Sequence, residues 1–310
     1  MSKQRIFMTG ASGYIGSVVT ELAIARGYEV YALSRSKTSD AKLTKLGAIP
    51  VRGDLHAFDA LRQQSTEADI VLHLADSFTD NFHRDYTEVV RIDADAVAAM
   101  GAGLEGSNKP FVATSGSLVV APAGVETDES SPISDKPLNG RIACERNAMS
   151  LSKKGVRVSV IRLAPFVYGR GGSGIKLFMT MLANAGEVGY VGNGDIQTSA
   201  VHVDDAAALY LLAAEKARTG EIFNGVSGQV KFRDLAEAEG EVLNLPVHSV
   251  AYEDALSRWG QFFARFLSTE NWSSGEKAKR VLGWEPKEAG IIDDLKTGSY
   301  VAIAESLKVA

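Results

Sequence analysis

The sequence contains one cysteine, Cys144. A lone thiol closes no internal disulfide, so a small fold built on cross-links is excluded. It also lacks any apolar run long enough to cross a bilayer. The N-terminus, Met1-Ser2-Lys3-Gln4-Arg5, runs straight into a short apolar segment without the apolar core of a secretory leader, and a cytoplasmic location is expected. No charge of one sign dominates: 33 basic and 38 acidic residues give −5, with no basic tail or face. Nucleic acid and anionic membrane are therefore not expected as partners. The five histidines show no His-Glu-x-x-His or other paired spacing, so no metal site is expected. Gly-x-Ser-x-Gly is missing, which removes support for a hydrolase nucleophile elbow.

What is present is ordinary for a globular protein: 310 residues, 45% hydrophobic and 23% charged. That length suits one large α/β domain with a smaller lobe. Short apolar runs alternate with amphipathic stretches. Ile6-Phe7-Met8 reads as a first strand, and Ile15, Val18, Val19 and Leu22 follow on one helical face. Further strands are expected at 29–33, 48–51, 69–74, 110–114 and 156–161, with a helix from about Leu138 to Lys153 before the last. Strands buried on both faces and separated by helices predict a Rossmann-type, doubly wound parallel sheet with a smaller C-terminal lobe. Residues 1–165 should form the dinucleotide-binding domain. Residues 166–310 should form mostly a substrate-binding lobe, with about 203–224 returning to the main sheet. Asn193-Gly194 is a hairpin signal within that lobe.

Gly10, Gly13 and Gly16 lie between the first strand and the first helix, where a dinucleotide pyrophosphate docks. Glycines permit the tight turn and the close backbone approach, and the helix start offers free N–H groups. Placed in a strand–turn–helix context, the spacing points to a nicotinamide dinucleotide. Gly169-Arg170-Gly171-Gly172-Ser173-Gly174 matches the same spacing but follows Pro165, so it reads as a mobile loop near the active site rather than a second nucleotide site. The second strand ends Leu33-Ser34-Arg35-Ser36, without the carboxylate that holds a ribose 2′-hydroxyl. Arg35 can pair with a 2′-phosphate and the two serines can hydrogen-bond it, which favours NADP while leaving NAD open.

With these residues the chain resembles the extended and atypical short-chain dehydrogenase/reductases, the NAD(P)-dependent epimerase/dehydratase group. The likeness runs over nearly the whole chain. Thr9-Gly10-Ala11-Ser12-Gly13-Tyr14-Ile15-Gly16 resembles the family's nucleotide loop, and Gly53-Asp54-Leu55 its adenine-contacting aspartate. His73-Leu74-Ala75 resembles the fourth-strand end beside the ribose, and Thr114-Ser115-Gly116-Ser117 the fifth-strand serine motif. The stretch from Arg162 to Gly169 resembles the loop near the nicotinamide, while Val201–Ala206 and Leu282–Pro286 resemble later signatures. The resemblance implies cofactor contacts at Gly10, Ser12, Gly13, Tyr14, Ile15, Gly16, Arg35, Asp54, Leu55, Leu74, Ala75 and Arg141.

One departure is informative. The family's acid is a tyrosine four residues before a lysine, and none of the nine tyrosines here has that lysine. If Arg141 stands for the lysine, Pro137 stands for the tyrosine. Arginine donates to ribose but shuttles no proton, because it stays charged. Arg141 and Glu145 could equally form a helical i, i+4 pair. Ser117 is a candidate donor to a substrate carbonyl, and Tyr168 the first alternative proton donor. His73 reads as a satisfied core histidine, and Asp204 as the cap of the helix after His202. Tyr252, Trp259, Phe262, Phe263, Phe266 and Trp272 read as lobe core. If some line the cleft, they favour an apolar substrate.

The sequence therefore predicts an NADP-dependent oxidoreductase acting on a small carbonyl-type substrate with a non-standard proton donor. A non-catalytic, redox-sensing NAD(P)-binding protein and a nucleotide-sugar epimerase or dehydratase are the alternatives. The expected partner is a small-molecule substrate, and a homodimer is a permitted assembly.

Overall fold

The computed structural model describes residues 3–78 and 85–308. Met1 and Ser2, which belong to the N-terminal reading above, lie outside them. The first half alternates strand and helix: β1 (Arg5–Thr9), α1 (Tyr14–Ala25), β2 (Glu29–Ser34), α2 (Lys37–Lys45), β3 (Ile49–Arg52), α3 (Phe58–Glu67), β4 (Ile70–His73), α4 (Tyr86–Leu104), β5 (Pro110–Gly116), α5 (Arg141–Ser150) and β6 (Arg157–Leu163). The second half is mixed: β7 (Phe166–Tyr168), α6 (Ser173–Ala185), β8 (Val188–Val191), β9 (Gln197–His202), α7 (Val203–Lys216), β10 (Glu221–Gly225), β11 (Gly228–Lys231), α8 (Phe232–Leu243), β12 (Val247–Val250) and α9 (Tyr252–Phe266). Three short helices follow, α10 (Glu276–Leu282), α11 (Ile291–Thr297) and α12 (Val301–Lys308).

Seven strands form the main sheet in the order β10-β6-β5-β4-β1-β2-β3, and every pairing is parallel. This is the doubly wound, Rossmann-type sheet. Period-2 alternation explains why its strands read as unbroken apolar runs. In β1, Ile6 and Met8 enter the core shared with α1, α2 and α7, while Phe7 enters the core shared with α3, α4 and α5. Strand order reverses between β1 and β4, so the loops after these two strands diverge and leave a crevice at their carboxyl ends.

A second core joins β7, α6, β9, α8, α11 and α12, with Phe166, Ile175, Phe232 and Leu295 at its centre. β7, β9 and β11 make a three-stranded sheet, and β8 pairs in parallel with β12. The Asn193-Gly194 hairpin is thus corrected. A turn does form, with Gly194 at φ +67 and its N–H on the Val191 carbonyl, but the strands it joins go to different sheets. Among the described residues, no helix is long and apolar enough to cross a membrane.

Candidate functional site

The crevice between β1 and β4 is a cleft of about 350 Å³. Its floor is the loop after β1, and Gly10 shows why that loop needs glycine. Gly10 sits at φ +76, and a Cβ there would lie 2.7 Å from the Ala75 nitrogen and from the Leu74 carbonyl carbon. Backbone cannot yield as a flexible side chain can, so only glycine lets the loop lie against the end of β4. Gly16 serves the other contact, since its Cβ would meet the Gly10 oxygen at 2.1 Å as α1 packs down on the loop. Gly13 starts α1 with no side-chain cap, which leaves first-turn N–H groups for an anion.

Gly10, Ser12, Gly13, Arg35, Asp54, Leu55, Leu74 and Ala75 all line this cleft. Ile15 packs into the core, and the Tyr14 hydroxyl donates to the Gly169 carbonyl at 2.7 Å. Neither side chain, nor Gly16, is part of the lining. Arg35 reaches the cleft from the end of β2. Its neighbours are engaged locally: the Ser34 hydroxyl donates to the Ser36 carbonyl, and Ser36 caps α2 by accepting from the Ser39 N–H at 3.1 Å. Asp54 forms a tight turn by accepting from the His56 N–H.

Asp76, Ser77 and His56 also line the cleft and were not singled out from sequence. Asp76 directly follows the His73-Leu74-Ala75 motif, which was the available signal. Its carboxylate accepts from the Arg141 guanidinium at 2.9 Å, and the same guanidinium donates to the Thr114 carbonyl. Arg141 thus stands beside the cleft, one residue back from its wall. Asp76 and other nearby acidic groups outweigh burial and keep Arg141 charged. The helical Arg141–Glu145 pair does not form. Glu145 is instead held by two guanidinium nitrogens of Arg162, Nε at 2.9 Å and Nη2 at 2.7 Å, in a buried pair.

Behind this wall, His73 is buried between the Thr9 hydroxyl at 2.7 Å and Asp93 at 3.1 Å, the satisfied core histidine expected. Burial works to raise the Asp93 carboxyl, but the His73 contact and Arg141 hold it below its ordinary value. Cys144 lies beside Asp93, and burial pushes its thiol up to about 12, so it carries no thiolate at neutral pH.

Two expected catalytic residues are placed differently from the sequence reading. Ser117 is fully buried and donates to Asn271 Oδ1 at 2.8 Å. Tyr168 shares a β7 face with Phe166 and enters the second core, its hydroxyl donating to the Ala289 carbonyl at 2.8 Å. Burial raises its phenol well above the ordinary range. Neither lines the cleft. The glycine loop at 169–174 is tied down by Tyr14, Tyr300 and Ser299, and Arg170 pairs with Glu21 and Asp204. The cap of α7 is His202 itself, accepting from the Asp204 N–H.

A different tyrosine stands near Arg141. Tyr86, the first residue of α4, packs its ring on Gly140, where a Cβ would lie 3.0 Å from the Tyr86 ring. Burial pushes its phenol above the ordinary range, while the Arg141 guanidinium beside it pulls the other way. Phe78 covers the ring at 5.2 Å and in turn meets Phe262 of α9 at 5.9 Å. Tyr86, Phe78 and Phe262 thus form an aromatic row beside Arg141. Among the described residues, no cluster of His, Cys, Asp or Glu could hold a metal ion.

A model of the NAD dependent epimerase/dehydratase family matches residues 6–224. An uncharacterized protein of Saccharomyces cerevisiae is 36% identical over 296 residues, covering 94% of this chain and 98% of its own. A 4-hydroxy-2-methyl-3-oxo-4-farnesyl-3,4-dihydroquinoline-1-oxide ketoreductase of Stigmatella aurantiaca is 29% identical, covering 90% of this chain and 91% of its own. Among solved structures, a dTDP-glucose 4,6-dehydratase from Streptomyces venezuelae with NAD bound superposes at a TM-score of 0.78 and 22% identity, over 98% of this chain and 97% of that one.

Proposed function

This chain belongs to the NAD dependent epimerase/dehydratase family, and from that premise we propose that it is an NADP-dependent oxidoreductase of small carbonyl compounds. Residues 1–165 would carry the cofactor and residues 166–310 most of the substrate site, in a cytoplasmic protein. The observation that carries the reading is one cleft lined by both the glycine loop and Arg35. Gly10, Ser12, Gly13 and the start of α1 suit a pyrophosphate. Arg35 suits a 2′-phosphate, Asp54 and Leu55 an adenine edge, and Leu74 with Ala75 a ribose. A nicotinamide dinucleotide supplies hydride transfer when bound.

Reduction of a carbonyl also needs a proton at the oxygen. In our reading Tyr86 supplies it. The phenol carries its proton at neutral pH, and the neighbouring Arg141 favours the phenolate left by transfer, against the burial that disfavours it. Asp76 and the Thr114 carbonyl fix Arg141 in that position. Ser117 would act through Asn271, whose side-chain amide it orients by donating to Oδ1. The aromatic row through Phe78 and Phe262 favours an apolar ketone or aldehyde over a nucleotide sugar. The ketoreductase relative supports this choice. The test is NADPH oxidation across a panel of ketones, aldehydes and imines, with nucleotide sugars in parallel. Turnover of apolar carbonyls alone agrees with the proposal. Nucleotide-sugar conversion, or cofactor binding without any turnover, would favour one of the two alternatives.

A further inference from the structure

The second lobe holds a cavity apart from the dinucleotide cleft. It lies between β7, α6, β8 and α8, walled by Phe166, Phe178, Tyr190 and Phe232. One carboxylic acid, Glu239 of α8, belongs to that wall. It is 6% exposed, and among the described residues it has no hydrogen-bond or ion-pair partner. Phe166 meets Phe178 at 6.1 Å and Phe232 at 6.2 Å, so the acid shares the cavity wall with a cluster of rings. An apolar groove of about 240 Å³ shares Phe178, Leu182, Gly189 and Leu267 with the cavity wall and is also lined by Trp259 and Phe263.

An unpaired carboxyl in such surroundings stabilises nothing in the empty protein, where leucine would cost less. The charged groups nearby do not serve it. Glu187, His248 and Arg258 line the outer groove, and both the Arg258 guanidinium, at 2.9 Å, and the His248 imidazole, at 3.7 Å, lie against Glu187. Tyr190 on β8 is the other titratable side chain in the inner wall. Aromatic rings attract cations, and a buried carboxylate needs one. The groove beyond is shaped for an apolar body.

We propose that this cavity, of about 40 Å³, takes the ammonium head of a small organic cation whose aryl-alkyl body lies in the adjoining groove, with Glu239 as its counter-ion. Burial pushes the empty site's carboxyl up to about 8. Below that pH, binding an ammonium ion displaces the Glu239 proton to solvent, so affinity is linked to pH. Other polar contacts in the inner wall would come from Tyr190 alone.

The test uses the full-length protein with phenethylamine and its neutral counterpart 2-phenylethanol, by calorimetry from pH 6 to 9. The proposal expects amine affinity to rise about tenfold per pH unit up to about pH 8 and then level, with alcohol affinity flat. Glu239→Gln should weaken the amine at least tenfold and leave the alcohol and NADPH unchanged. A missing amine signal, equal binding of amine and alcohol, pH-independent amine affinity, or undiminished binding by the Gln variant overturns it. The pH series needs no variant, so it decides the matter even if Glu239→Gln folds poorly. Because NADPH binding is read separately, failure here is distinguishable from failure of the oxidoreductase reading.

Discussion

Arg141 and Asp76 form an ion pair at 2.9 Å that ties the start of α5 to the loop after β4, and both side chains are mostly shielded from water. Removing the arginine takes away the guanidinium from which the shielded Asp76 carboxylate accepts at 2.9 Å. Arg141→Met should therefore lower stability by about 2–4 kcal/mol, near the range for breaking a buried pair. Asp76→Asn with Arg141→Met should recover part of that loss. Urea unfolding of the two single variants and the double variant measures the coupling. Strict additivity would show that the pair is incidental.

The proton donor is the second prediction. Tyr86→Phe should slow turnover at least tenfold on any substrate found, with NADPH affinity kept, as for typical general acids. Tyr168→Phe should leave the pH profile of kcat unchanged. It should cost about 1 kcal/mol of stability, because it strands the Ala289 carbonyl. If the Tyr168 variant changes the profile and the Tyr86 variant does not, the roles are reversed.

The nucleotide loop and most of the main sheet were legible because their signals are local. Ile6, Phe7 and Met8 are all buried, and glycine spacing marks the strand–helix turn directly. The neighbourhood of Tyr86 and Arg141 was not legible, because the family's pattern places a tyrosine and a cation four residues apart on one helix. Tyr86 comes from α4 and Arg141 from α5, a pairing made only by the packing of two helices. The placement of Tyr168 was hidden for a related reason. Its glycine-flanked loop suggested a mobile edge of the site, but β7 turns Phe166 and Tyr168 together into the second core. Asn193-Gly194 did encode a turn. It did not encode a partner, because β8 pairs with β12, far along the chain.

Glycine substitutions separate backbone strain from close approach. Gly10 and Gly27 both have positive φ, but a Cβ on Gly27 meets nothing within 4 Å. Gly27→Ala should cost about 1 kcal/mol, the ordinary penalty of that conformation. Gly10→Ala must also displace the end of β4, so it should cost clearly more and abolish cofactor binding. Gly13→Val should keep the fold and lose cofactor affinity, because its side chain would enter the cleft. Thermal melts with and without NADPH check all three; equal effects at Gly10 and Gly27 would refute the packing argument.

Glu239 makes stability depend on pH. Its folded-state pKa of about 8 lies above the ordinary 4.5, so the native state holds this proton more tightly than the unfolded chain. The associated stability is fully present below about pH 4.5 and is lost as pH rises through about 8. The loss should be about 3–5 kcal/mol. Glu239→Gln should flatten that fall. Unfolding free energies at pH 5, 7 and 9 for both proteins give the comparison, and parallel curves would exclude the assignment.

The most direct test of the central claim is a paired titration of NADPH and NADH into the purified protein and its Arg35→Ala variant. NADPH should bind the unmutated protein more tightly than NADH. The variant should lose mainly that advantage, about 1–3 kcal/mol, with NADH affinity nearly unchanged. Equal affinities for the two cofactors in the unmutated protein, or a variant that weakens both alike, would contradict the account.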